Sequence, residues 1–269
     1  MPKAEKKTQP EESRIEEETR RKYSGDFYKP DSIMRERGPE DRDYFARLDI
    51  VKRRILLEHC QGKATLDLCC ATGLHLLKVA PEIERGIGVD FSKPFLKKAE
   101  FDRKNLCMEH LSFSCANARQ LPFRDKSFGC VYSFSSLYNI PQQQDVFAEV
   151  FRILEPGGYA VLGLGNRHSL NHIVSMAHSE TAQPCHIDPG KMKALLRGSG
   201  FTIKEHHAFQ ILPLWGSRPK WMLPFLLPIW KTILQTSLAG HMLDAWICRI
   251  PGLRHFAFRH IFVCTRKAE

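Results

Sequence analysis

No two of the chain's nine cysteines form a Cys-x-x-Cys pair, and their spacing matches no secreted disulfide framework. Cys69 and Cys70 are adjacent, which suits neither a mutual disulfide nor a pair of metal ligands. All nine are expected as reduced thiols of a reducing compartment, and no metal centre is expected. No uninterrupted apolar run reaches the roughly 18 residues that a membrane span needs. The Lys/Glu-rich start does not read as a signal peptide. The expected location is cytoplasmic, with association at a membrane surface open. Internal repeats are absent. Acidic residues are scarce near the end: Gln210 to Glu269 holds eight basic residues but only Asp244 and Glu269 as acids.

What is present suffices for a large folded domain. The 269 residues are 43% hydrophobic, enough for a full core with embellishments. A formal net charge of +10 favours anionic partners such as nucleic acid, anionic lipid or phosphorylated substrates, without choosing among them. Residues 1–22 carry seven basic and six acidic side chains around one strongly apolar residue, Ile15. They read as a charged tail, disordered or a frayed helix. Residues 23–209 read as the core with an N-terminal helical cap, 210–258 as a hydrophobic, basic insert, and 259–269 as a last strand and tail. All four tryptophans (Trp215, Trp221, Trp230 and Trp246) lie in the insert.

Apolar spacing predicts a helix over 43–59. Strand and helix signals then alternate: strands at 64–68, 85–89, 111–115, 129–133, 159–164, 201–209 and 260–265, with helices at 74–80, 93–103, 143–154 and 191–198. Pro156-Gly157-Gly158 reads as a sharp turn before the fifth strand. In the insert, a helix after Pro228 is expected to place Trp230, Ile233, Leu234, Leu238 and Met242 on one face. The alternation predicts an α/β, doubly wound, mostly parallel seven-stranded sheet.

The most telling stretch is Leu66-Asp67-Leu68-Cys69-Cys70-Ala71-Thr72-Gly73. It reads as a buried strand, a turn of small residues and a helix start. Asp90 then closes a second apolar strand, Gly86-Ile87-Gly88-Val89. In such a βαβ unit small residues let backbone approach a ligand, and the acid accepts hydrogen bonds from ribose hydroxyls. A cofactor with an adenosine part is expected.

Two further segments complete a pattern: Asn117-Ala118-Arg119-Gln120-Leu121-Pro122-Phe123 with Ser127-Phe128, and Glu149-Val150-Phe151-Arg152-Ile153-Leu154-Glu155-Pro156-Gly157-Gly158. In that order the four resemble class I S-adenosylmethionine-dependent methyltransferases, in particular the ubiquinone/menaquinone C-methyltransferase-like branch. The resemblance covers residues 45–205. It implies a Rossmann-like methyltransferase with S-adenosyl-L-methionine as cofactor. It also implies Asp67 near the methionine ammonium, the Cys69–Gly73 turn (Cys69, Ala71, Gly73) under methionine and ribose, and Asp90 on the ribose. Phe91 and Leu121 would flank the base, Asn117 would face the adenine amino group, and the Ala118 amide would meet the ring. The family turn is Asp-x-Gly-x-Gly-x-Gly; here Cys69 and Ala71 replace its first two glycines.

Ser133 and the residues after it, with Tyr138 and Asn139 at acceptor-facing positions, follow the fourth strand at the edge where open α/β sheets bind ligands. Asn166 and His168 follow the fifth strand on the same edge. His168 is the best-placed general base, in competition with His172, His178 and His186, although many methyltransferases need none. Trp215 is a candidate acceptor contact, and Tyr23, Phe27 and Tyr28 can close over the cofactor. The expected reaction is methyl transfer to an O or C atom of a hydrophobic or lipid-linked small molecule, with an anionic membrane surface as a possible partner. The alternatives are an RNA or protein methyltransferase, or a non-catalytic assembly module. No Asn/Asp-Pro-Pro-Tyr/Phe signature or RNA-binding module is visible, so nucleic acid is not expected as a partner.

Overall fold

Ala64–Leu68 is buried at every position, polar Thr65 and Asp67 included. A strand covered on both faces belongs in a parallel sheet between layers of helices. The computed structural model, which describes residues 9–23, 39–178 and 184–267, has that architecture. Two helices come first, α1 (Gln9–Lys22) and α2 (Pro39–Cys60). Strands and helices then alternate: β1 (Ala64–Leu68), α3 (Leu74–Val79), β2 (Arg85–Asp90), α4 (Lys93–Asn105), β3 (Leu111–Cys115), β4 (Phe128–Ser133), α5 (Gln143–Ile153), β5 (Leu154–Gly165), α6 (Leu170–Ala177), α7 (Pro189–Gly198) and β6 (Thr202–Phe209). The insert carries a 3₁₀ helix (Lys220–Leu226), α8 (Ile229–Gln235), the short hairpin β7 (Ser237–Leu238) and β8 (His241–Met242), α9 (Leu243–Ile247) and α10 (Pro251–Arg254). The last strand, β9 (Arg259–Thr265), returns to the sheet.

The strand order is β3-β2-β1-β4-β5-β9-β6. β9 runs antiparallel between β5 and β6, and the pairings from β3 to β5 are parallel. The winding reverses between β1 and β4, so a crevice opens outside their carboxyl ends, where doubly wound sheets bind ligands. One apolar layer lies under α2 and α3, with Tyr44, Leu48, Leu56 and Leu76 fully buried. The other lies under α5 and α7. α5 presents Val146, Phe147, Val150 and Ile153 at helical spacing, all fully buried. Each such side chain contributes about 1.5–3 kcal/mol.

Three expectations change. Over Gln9–Lys22 the charged N-terminal stretch is α1, with Ile15 and Thr19, one turn apart, buried together. Both Glu16 oxygens accept from Arg119 at 2.7 Å, which fixes the helix over the loop after β3. The extended run of β5 starts at Leu154, and the Pro-Gly-Gly turn is a register shift within it, Gly157 taking φ +78°. In the insert α8 stops at Gln235, because Ala239 (φ 49°) and Gly240 (φ 74°) form a two-residue hairpin turn. Two consecutive left-handed residues match the twist of a hairpin. Leu238 and Met242 therefore sit on β7 and β8 and not on the helix face.

The insert is fastened by Asp244, which is fully buried. Its carboxylate accepts from the Tyr44 hydroxyl (2.8 Å) and from the amides of Gln210 (2.6 Å) and Ile211 (3.0 Å). Burial pushes its pKa up, and the three donors oppose that shift. One side chain thus joins α2, the end of β6 and the insert. Among the described residues, no helix is long and apolar enough to cross a membrane.

Candidate active site

The turn after β1 keeps a glycine-like backbone with fewer glycines. Cys69 (φ 60°), Ala71 (φ 48°) and Gly73 (φ 70°) are all left-handed. Gly73 is required twice over: by its φ, and because an added Cβ would stand 2.5 Å from the Phe113 ring. Cys69 and Ala71 hold the same conformation at a cost of about 1–2 kcal/mol each. Cross-links from β2 sustain the strain: Ala71 donates its amide to Asp90 Oδ2 (2.9 Å), and Cys70 donates to the Val89 carbonyl (3.0 Å). Ala71→Gly should therefore stabilise the protein by up to about 1 kcal/mol, with a melting temperature raised by about 2–4 °C in calorimetry.

Asp90, mostly buried at the end of β2, uses one lone pair of each oxygen on backbone: Oδ2 for Ala71 and Oδ1 for the Ser92 amide (2.8 Å). A carboxylate oxygen has a second lone pair, so two adjacent hydroxyls can still be received. Burial raises its pKa, and the amides of Ser92, Ala71 and Phe91 oppose the rise. Asp67 is more extreme. It is the one acid of a fully buried strand, paired in register with Tyr132 on β4. Burial pushes its carboxyl up to about 8, the Asp90 charge adds to that, and the nearby Tyr132 hydroxyl pulls the other way. That hydroxyl is itself buried with no formed hydrogen bond. A positive charge placed beside Asp67 would restore its ionised form.

A cavity of about 840 Å³ occupies the crevice. Asp67, Cys69, Ala71, Asp90, Phe91, Asn117, Ala118, Tyr138, Asn139 and Trp215 are all on its wall. The Asn117 side-chain oxygen accepts from the Arg119 amide at 3.0 Å, leaving one lone pair for a ligand donor. α1 roofs this end with Glu16 and Thr19, and Tyr23 follows just after it. Tyr23 lies edge-on to Phe91 at 6.5 Å, and its carbonyl accepts from the Ser92 hydroxyl at 2.6 Å. Phe27 and Tyr28 lie outside the described residues.

Five expected residues are elsewhere. Gly73 packs beneath the turn, against Phe113. Ser133 alternates away from Tyr132 and is buried on the Val131 face, toward α5. Asn166 is fully buried; its amide donates to the carbonyls of His255 (2.6 Å) and Ala257 (2.8 Å), and its oxygen accepts from the His168 amide, so it fastens a loop to the insert. His168 faces His255, ring nitrogens 2.7 Å apart, away from the cavity. Leu121, expected opposite Phe91, is also in the α5 core and not on the wall.

Other residues fill the far end. His186 is on the wall, between Tyr138 and Phe258, with Nδ1 3.0 Å from His172 Nδ1. Burial first, then the charges of His172 and Arg259, push its pKa down to about 3, so its imidazole is neutral. α2 contributes Phe45, Asp49 and Lys52. Burial alone would raise Asp49, but Lys52 (2.9 Å) and His75 hold it below its usual value. The sequence carried a signal here: Asp49 and Lys52 interrupt the stripe of Phe45, Leu48, Ile55 and Leu56. Arg259 donates to Gln210 (2.8 Å) and to the Ser135 hydroxyl, and lies over the rings of Phe45 and Phe258. No carboxylate among the described residues pairs with it. The cavity is thus acidic under the β1 turn and cationic and aromatic at the other end.

Residues 66–162 match the family model described as a methyltransferase domain. Demethylmenaquinone methyltransferase from Oceanobacillus iheyensis is 34% identical over 103 residues, 37% of this chain and 43% of that protein. The same enzyme from Geobacillus stearothermophilus is 33% identical over 118 residues, 43% of this chain and 49% of that protein. The chain spans less than half the length of these curated relatives. Among solved structures, the geranyl diphosphate C-methyltransferase of Streptomyces coelicolor superposes with a TM-score of 0.59 at 16% identity, over 82% of this chain and 80% of that one. The [4+2]-cyclase SpnF does so with a TM-score of 0.58 at 19% identity, over 82% and 81%. One fold can host different reactions, so these last likenesses speak for architecture alone. Residues 66–162 are thus similar to a methyltransferase domain, and the chain that carries them has the Rossmann-like fold of these solved structures.

Proposed function

We propose that the chain binds S-adenosyl-L-methionine and transfers its methyl group to a carbon or oxygen of a hydrophobic, quinol-like small molecule. The observation that carries this reading is the polarity of this cavity: two buried acids under a strained turn at one end, and at the other, among aromatic rings, a guanidinium with no carboxylate partner among the described residues. The residues suit the cofactor. Asp90 keeps two lone pairs for a ribose diol, the small side chains of the turn leave room for the methionine part, and Asp67 is an acid that gains from a cationic neighbour. When bound, the cofactor supplies an electrophilic methyl on a sulfonium.

The chain's own groups do the rest. α1 and Tyr23 cover the adenosine end and keep water out. Tyr138, Phe45 and Phe258 stack or wedge a ring, and Arg259 draws electron density onto an acceptor oxygen by binding its anionic form. His186, neutral and coupled to the half-buried His172, gives an acceptor proton a route toward the surface. Rate would come mainly from alignment of donor and acceptor in a dry site. The relatives named demethylmenaquinone methyltransferases support a quinone-like ring as the acceptor class.

Incubation with methyl-labelled cofactor and cell extract, split into lipid, small-molecule, RNA and protein fractions, tests the reading. Label should enter an organic-soluble ring compound. Label confined to RNA or protein, or no transfer by a protein that binds the cofactor, would overturn it.

A further inference from the structure

Lys220 to Ile229 reads Lys-Trp-Met-Leu-Pro-Phe-Leu-Leu-Pro-Ile. The composition predicts a buried segment, yet only Met222 is buried. Trp221 is 61% exposed, Leu227 51% and Ile229 56%, and Leu223 and Phe225 are open to solvent as well. Scattered apolar residues on a surface are ordinary, but a continuous run marks an interaction face. The segment is built: the Trp230 indole donates to the Pro224 carbonyl at 2.7 Å, fixing the 3₁₀ helix to α8.

The exposed charges that the insert itself carries have one sign. Arg218 and Lys220 are exposed beside this run, and Arg249 is exposed on the same insert. Asp244 is the only acid between Glu205 and Glu269, and it is buried and held by three donors. The insert therefore offers exposed apolar side chains and exposed cations, and no accessible carboxylate among its described residues. A second copy of the chain would bring like charges together across a two-fold axis. An anionic lipid surface meets both features, since tryptophan and lysine suit the boundary between headgroups and acyl chains.

We infer that Lys220–Ile229 docks into the interface of an anionic bilayer, and that the cavity receives its acceptor from the lipid phase through this face. The second half rests on the methyl-transfer reading above. The link is covalent continuity: Trp215, Leu226 and Lys231, which flank or belong to the docking run, also line the cavity. The docking face and the far wall of the site are one piece of chain, so an apolar acceptor can pass between them without crossing water.

The test is co-sedimentation of the full chain with vesicles of phosphatidylcholine alone or mixed with phosphatidylglycerol. The protein should pellet with the mixed vesicles, less so as salt is raised, and brominated acyl chains should quench its tryptophan emission. The double variant Trp221→Ser/Phe225→Ser replaces no residue of the cavity wall and should lower partitioning by about a hundredfold, with melting temperature and cofactor binding unchanged. A wild type that stays in solution with both vesicle types would overturn the inference, as would a double variant that partitions equally. So would a dimer that this variant dissociates and that does not bind vesicles. Calorimetry with the cofactor on the same samples separates the two readings: vesicle binding without cofactor heat removes methyl transfer and leaves docking, and the converse removes docking alone.

Discussion

Replacing Asp90 with alanine should reduce affinity for S-adenosylmethionine by about a hundredfold to ten-thousandfold, because the proposed reading gives the ribose two charge-assisted hydrogen bonds, each worth about 1.5–3 kcal/mol. A second loss adds to the first. The carboxylate also holds the Ala71 and Ser92 amides, so its removal releases a turn whose left-handed residues are strained. Asp90→Asn separates the contributions: its amide keeps one acceptor oxygen but turns a donor toward one of those two amides. Titration calorimetry of both variants, with circular dichroism to confirm the fold, reads the result. Alanine should bind far more weakly than wild type, and asparagine should fall between them. An alanine variant that binds within about threefold of wild type would remove Asp90 from the site.

The second large effect is a proton. With its carboxyl pushed up to about 8, Asp67 is protonated at neutral pH until a cation arrives. Binding of the ammonium and sulfonium charges should expel that proton. Affinity should therefore climb with pH, by at most about tenfold per unit, and level off above about pH 8. Calorimetry at neutral pH in two buffers of different ionisation enthalpy should show proton release that Asp67→Asn abolishes. That variant should also bind about a hundredfold more weakly at pH 8. Stability moves the opposite way. The folded carboxyl holds a proton that the unfolded one loses near its ordinary value of 3.8. Its contribution is thus intact below about pH 4, declines as pH rises, and stays at its lowest above about pH 8. Asp67→Asn should melt a few degrees higher than wild type at pH 8. An equal melting temperature together with unchanged proton release would show that Asp67 is not a buried neutral acid.

Much of the fold was legible because its signals are local. β1 and β3 fall at their expected bounds, and β2, β4, α4 and α5 within two residues, since each combines an apolar run or helical spacing with a nearby turn. Asp67 and Asp90 stood out because an acid at the end of an apolar strand is unusual wherever the chain goes. Ser133 and Asn166 show the limit of that logic. The edge of a sheet can be read from a strand's end, but the face each side chain takes depends on register, and register put Ser133 toward α5. His168 differs: the loop lies on the expected edge, but the ring meets His255 from the insert. The insert helix was drawn too long because the Ala239-Gly240 turn gives little warning in a run of apolar spacing.

By itself the amino-acid order determined the alternating sheet, the small-residue turn and the two acids beside it, because each follows from neighbours a few positions apart. Only the folded chain decided what closes and completes the cavity. Glu16 meets Arg119 across more than a hundred positions, Tyr44 meets Asp244 across two hundred, and Arg259 reaches the aromatic end from the last strand. Such contacts are fixed by how helices and insert pack on a finished sheet, and no local pattern encodes the partner a distant side chain will find.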